Sequence, residues 1–326
     1  MSMKLGEVYQ TAVRKGMAED VRDAEELQRL LDEARKVYEK LDEEEKEFFD
    51  TEKLTNPYSD TRICEGDLDT DVRGLIVGID MEVGEVVLAD RLREKGEPID
   101  LILAHHPEGS GYANLHEVMG MQADLWARQG VSIAVGDTLI GPRAQEIRRK
   151  LMPVNHYRAV DAARILGFAS MSCHTPADNC VNSHVQRMLD EKSPRTLDDV
   201  VKTLRTIPEY ADAARKGYGP IIVQGSGSSR AGRIVVDMTG GTEGPKEALD
   251  RLVQAGVGTL VGMHYSEDHR KQAEELKLSL VIAGHVSSDA IGMNIILDEI
   301  ERVGEIEVVA TSGMVRIRRD EHGVVV

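Results

Sequence analysis

Short apolar runs recur along most of this chain, each followed by a polar or amphipathic stretch, and that alternation limits the folds open to it. RGLIVGID (73–80), DLILAHH (100–106), VSIAVG (131–136) and the run into MSCHT (171–175) form one series. PIIVQG (220–225), RIVVDMTG (233–240), TLVGM (259–263), LSLVIAG (278–284) and IEVVA (306–310) form a second. Such runs read as buried strands, and strands alternating with helices of roughly 10–15 residues imply βαβ units. The expected fold class is therefore α/β, with mostly parallel sheets covered by helices on both faces.

Residues 1–50 have a different texture. They hold no Gly beyond Gly6 and Gly16, no Pro, and apolar positions Leu27, Leu30, Leu31, Ala34 and Tyr38 at helical spacing. TEKLTNPYSDTR, with Pro57, then breaks the helical pattern. The expected organisation is a helical extension over 1–70 that serves packing or assembly, a first α/β lobe over 71–190, and linking helices with a second α/β lobe over 191–326.

Composition narrows the function classes. A formal net charge of −17 repels phosphate backbones, and the densest basic cluster, Arg143, Arg148, Arg149 and Lys150, reads as the solvated end of one helix. Nucleic acid is therefore not an expected partner. No apolar run approaches the roughly 18 residues of a spanning helix, so no membrane partner is expected. Three cysteines (Cys64, Cys173, Cys180) and an N-terminus without a secretory pattern make the cytoplasm the expected compartment.

In sheets of this kind, ligands gather outside the C-terminal ends of strands, and three segments there carry imidazole and carboxylate. AHHPEG places His105 and His106 at the end of DLILA, where Pro107 bends the chain and lets adjacent side chains share a ligand. SCHTPADNC places His174 and Asp178 after a strand; Asp178 suits a divalent metal, and His174 reads either as a ligand or as a group orienting one. AGHVSSDAIGMN places His285 and Asp289 four apart at the opening of a helix, on one face. Taken singly, the last two also read as ordinary helix starts, with Thr175 and Pro176, or Ser287 and Ser288, as first-turn residues.

The order HHP, then HT..D, then GH..SD resembles the NIF-three-like dinuclear metal-centre proteins, some of which carry the name GTP cyclohydrolase I type 2. The likeness runs from about Leu75 to Ile317 and rests on the three motifs. It implies two similar, intertwined α/β/α lobes, a toroidal homohexamer, and two divalent ions (Zn, Mn, Fe, Co or Ni) facing an internal cavity. Carried over residue by residue, His106 and Asp178 hold one ion, His105 and His285 the other, and Asp289 bridges them. The family's last ligand is normally Glu, so Asp289 is one methylene shorter; HTPAD replaces an HTNLD-like motif, the span from Pro107 to His174 is longer, and the N-terminal helices are extra.

Two ions about 3.5–4 Å apart lower the pKa of a shared water and stabilise charge on an attacked centre, which suits hydrolysis. One expectation is thus a metal-dependent hydrolase of a small, nucleotide-like molecule, with His264 or Glu267 of GMHYSEDH moving protons and the turn MTGGTEGP (238–245) offering N–H groups to an anion. The other is a non-enzymatic, metal-binding, ring-forming scaffold or regulator.

Overall fold

The computed structural model describes residues 2–320 and 323–325. Its principal strands are, in chain order, β1 (Ile63–Glu65), β2 (Gly74–Gly78), β3 (Leu101–Ala104), β4 (Ala169–Ser172), β5 (Ile221–Gln224), β6 (Arg233–Asp237), β7 (Val257–Gly262), β8 (Ser279–Ile282) and β9 (Glu307–Ala310). The helices that matter for the site are α1 (Leu5–Ala18), α2 (Ala24–Lys40), α3 (Val83–Glu94), α4 (Met121–Arg128), α5 (Ile133–Leu151), α6 (Thr175–Lys192), α7 (Glu267–Leu276) and α8 (His285–Val303).

Two sheets result. The first has the order β9-β2-β3-β4-β1, parallel except for the edge strand β1, and the second the order β5-β8-β7-β6, parallel except for the edge strand β5. The chain is a mixed α/β protein with parallel-dominated sheets. β2, β3 and β4 are buried along their whole length, as strands covered on both faces must be.

Three features depart from the sequence expectation. The run at 131–136 is not a strand: Val131 follows the turn at 129–130 and α5 begins at Ile133, after Ser132 as N-cap. Its buried side follows helical spacing through Gly136, Ile140 and Ile147, a pattern that six residues are too short to reveal. Second, sheet membership crosses the boundaries expected near 70 and 190. β1 joins the first sheet from the N-terminal side, and β9 returns from the end of the chain to pair with β2. Third, α1 is not an appendage, because Leu5, Val8, Tyr9, Ala12 and Val13 share one core with Ala177 and Cys180 of α6 and Met293 and Ile296 of α8.

α6 and α8 pack against each other between the sheets, and they are the helices that open with the motifs HTPAD and HVSSD. Each starts directly after a strand, α6 after β4 and α8 after β8. At the second junction Gly284 has φ +118, a left-handed conformation that a side chain resists, and it turns the chain so that His285 opens the helix. The contact between the two helices is close: a Cβ on Gly292 would lie 2.3 Å from the Ala177 carbonyl oxygen.

Candidate metal centre

Four segments converge where the strand ends of the two sheets face one another. Backbone hydrogen bonds from His105 N to Gly78 O and from His106 N to Ile79 O, both 2.9 Å, fix the bend after β3. His105 is fully buried, Asp289 is fully buried, and Asp178 and His174 are nearly so. His106 and His285 are partly open.

The separations among these side chains carry the chemistry. His105 Nε2 lies 3.5 Å from Asp178 Oδ1 and 3.4 Å from Asp289 Oδ1. His106 Nε2 and His285 Nε2 each lie 3.6 Å from Asp289 Oδ2. These distances exceed an ordinary N–H···O hydrogen bond of about 2.7–3.2 Å. They lie at or a few tenths of an ångström above the spacing of two atoms bound to one ion at about 2.1 Å each, which is roughly 3.0–3.4 Å for octahedral to tetrahedral angles. His105 Nε2, Asp178 Oδ1 and both Asp289 oxygens are buried with no hydrogen-bond partner. Buried polar atoms are almost always paired, so four orphans pointing at one another, two carboxylates among them, fit a cation. His105, His174 and Asp178, and separately His105, His106 and Asp289, bring their ligand atoms within 4.8 Å of one another.

Each inner imidazole is held from behind. His105 Nδ1 sits 3.1 Å from the Cys173 carbonyl, His106 Nδ1 2.6 Å from Asp80 Oδ1, and His174 Nδ1 2.8 Å from Asp60 Oδ2. With Nδ1–H donating to these oxygens, Nε2 is left as an acceptor directed to the cluster, the arrangement typical of metal-ligating histidine. Thr175 Oγ1 also donates to Asp60, at 2.6 Å. Burial alone would raise the Asp60 carboxyl, but His174 and Thr175 outweigh it and hold the group below its usual range.

The two central carboxylates part company electrostatically. Burial pushes Asp178 well above its usual value; His105 opposes this, while Asp289 and Asp60 add to it. Burial acts on Asp289 too, but His105, His285 and His106 surround it and bring it below the usual range. Burial and the neighbouring His105 drop His106 to about 4, with Asp289 opposing, so its ring is neutral at pH 7. His285 is lowered as well, by burial first.

A cavity of about 350 Å³ opens beside the cluster, lined on one side by His106, His174, Asp178, His285 and Asp289. Asp80, Glu82 and Glu108 form an acidic part of its wall. Burial, with Glu82 next, pushes Glu108 up to about 7.

The five residues expected as ligands thus lie together, but their short separations join His105 to Asp178, whereas the family resemblance pairs His106 with Asp178 and His105 with His285. His264 lines the cavity with its ring 5.0 Å from that of His285. Glu267 does not line it; the carboxylate sits in the first turn of α7, bound at 2.9 Å by both Arg270 Nε and Nη2. The glycine-rich turn does border the cavity, with positive φ at Gly240 and Gly241, but Glu243 adds a carboxylate there. Asp60 and Asp80 went unrecognised in the sequence because each lies in a loop, far along the chain from the histidine it supports.

The chain is thus an α/β fold of two parallel-dominated sheets with a buried His/Asp cluster at their facing strand ends. The structure superposes on that of a NIF3 superfamily protein from Sphaerobacter thermophilus with a TM-score of 0.68 and 24% identity, covering 78% of this chain and 92% of that one. Reduced HcgD from Methanocaldococcus jannaschii is a looser likeness, with a TM-score of 0.47 and 16% identity over 76% of this chain and 87% of that one. No family model matches the sequence, and no curated protein matches it. The fold is shared with that Sphaerobacter thermophilus protein, and the buried His/Asp groups are consistent with metal binding. Among the described residues, no helix is long and apolar enough to cross a membrane.

Proposed function

We propose that this protein is a metal-dependent hydrolase of a small molecule and that His105, His106, Asp178, His285 and Asp289 hold two divalent ions. The observation that carries this reading is the orphaned set of Nε2 and carboxylate oxygens at co-ligand spacing. Asp289 is suited to bridging, since its Oδ1 faces His105 while its Oδ2 faces His106 and His285. Asp178 then belongs with His105. The ions, when bound, would supply Lewis acidity and an activated water.

The chain's own residues do the rest. Asp60 and Asp80 fix the tautomers of His174 and His106. The buried strand ends keep bulk water from the inner carboxylates. His264, at the cavity wall beside His285, is placed to exchange a proton with substrate. Glu267 is not so placed; hydrogen bonding from Arg270 lowers its carboxyl, which favours the charged form. The test is a hydrolase screen of Mn- or Zn-loaded protein against phosphodiesters, nucleotides and cyclic amidines, with Asp178→Asn as control. Turnover that the control reduces at least a hundredfold is expected; turnover equal in the two proteins refutes the site.

Metal uptake should also release a proton. Burial raises the folded-state pKa of Asp178, so a cation, which binds the carboxylate, competes with a proton there. His106, lowered to about 4, contributes none. Calorimetric titrations in buffers of different ionisation heat should show proton release on binding, and apparent affinity should rise with pH. Heats independent of the buffer contradict the assignment.

A further inference from the structure

The cavity has a second wall, away from the His/Asp cluster, that takes no part in holding ions. Trp126 from α4 and Tyr265, just after β7, stand there with Asp237 at the end of β6. Leu249 and Leu252, almost fully buried, complete an apolar surface.

The polar atoms of this wall are unfinished. Trp126 is 3% exposed, and its indole N–H, although beside the Asp237 carboxyl, completes no well-formed hydrogen bond. The Tyr265 hydroxyl is likewise buried without a partner. Burial and then Glu243 push the Asp237 carboxyl up to about 6, and the neighbouring indole N–H works against them. Burial, with Asp237 and Glu243, drives the Tyr265 phenol well above its usual range, which keeps it neutral and able to donate. A donor, a donor-acceptor and an acceptor thus border one apolar pocket. Leaving the Trp126 N–H and the Tyr265 hydroxyl unpaired costs about 1–3 kcal/mol each, and a cavity of this size is at the lower end of those that hold small molecules.

We propose that the Trp126–Tyr265–Asp237 wall is a recognition subsite for a flat nitrogen heterocycle with a cyclic amide edge, its ring N–H donating to Asp237 and its carbonyl accepting from Trp126 or Tyr265. The aromatic and leucine surfaces take the faces of the ring, and the cavity is continuous from there to His106, His285 and Asp289. This rests on reading the cavity as the place where substrate meets the ions, and it adds the part of the substrate that is held.

Trp126 is the only tryptophan of the chain, so its fluorescence reports on this wall alone. The probes are uracil and hypoxanthine, with 1,3-dimethyluracil, which lacks a ring N–H, as control. A saturable change in Trp126 fluorescence with uracil or hypoxanthine is expected in metal-free protein, with binding at least tenfold weaker for the dimethyl compound and for the variants Asp237→Asn and Tyr265→Phe. Metal uptake should be unaltered in both variants, and Tyr265→Phe, which removes one oxygen, guards against a folding defect in the other. No saturable change with either probe at millimolar concentration, or equal binding of the dimethyl compound, overturns the subsite and leaves the metal reading standing. Saturable binding by a protein that takes up no metal would instead remove the metal reading and keep the subsite.

Discussion

Adding Mn or Zn to the metal-free protein should raise its unfolding free energy by about 4 kcal/mol per site once free metal stands at a thousand times Kd, and Asp178→Asn should abolish the gain at its site. The same substitution should leave the metal-free protein within about 1 kcal/mol of the original. The reasoning is electrostatic. Without metal, burial beside Asp289 and Asp60 disfavours the Asp178 carboxylate, so an uncharged amide of the same shape costs little. With metal, the carboxylate is a ligand and the amide is a poor one. Urea unfolding of both proteins, with and without metal, gives all four free energies. A variant equally destabilised in both conditions would show that Asp178 serves packing instead.

Gly292→Ala should destabilise the protein by about 3 kcal/mol and weaken metal uptake, although residue 292 touches no ligand. The added Cβ would stand 2.3 Å from the carbonyl oxygen and 2.7 Å from the carbonyl carbon of Ala177, backbone atoms that cannot step aside as a side chain can. α6 and α8 must then separate. Asp178 sits in the first turn of α6 and Asp289 just beyond the first turn of α8, so a shift of several tenths of an ångström spoils the co-ligand spacing. Thermal unfolding and metal titration of the variant check both halves; full stability, or lost stability with unchanged affinity, would show that the helix contact does not set the spacing.

The parts of the site carried by local pattern were legible in the sequence. His105, His106 and Pro107 follow an apolar run, and His174 with Asp178 and His285 with Asp289 open helices after two others, so strand ends alone direct the search. The supports were not legible. Asp60 lies 114 residues from His174 and Asp80 lies 26 from His106, and nothing local in a loop aspartate tells which imidazole it will meet. Trp126 was hidden for a related reason: on a helix it reads as one more core residue, and only the cavity shows that its N–H goes unpaired.

The fold divides the same way. Seven of the expected strands are set by runs of Val, Ile and Leu, and β4 by a buried Ala-Ser-Met-Ser stretch, whereas 131–136 departs from strand because so short a mostly apolar run suits a helix start equally well. The placing of β9 beside β2, and the burial of α1 against α6 and α8, depend on pairing between distant segments. Strand alternation cannot express that.

The most direct measurement is elemental analysis of protein purified without added metal and again after saturation with Mn or Zn, reported as ions per chain. Two ions per saturated chain are expected for the unaltered protein, with fewer for Asp178→Asn and close to none for Asp289→Asn. A saturated chain that binds no ion, or one whose metal content is indifferent to both substitutions, contradicts the assignment of this cluster as a dinuclear centre.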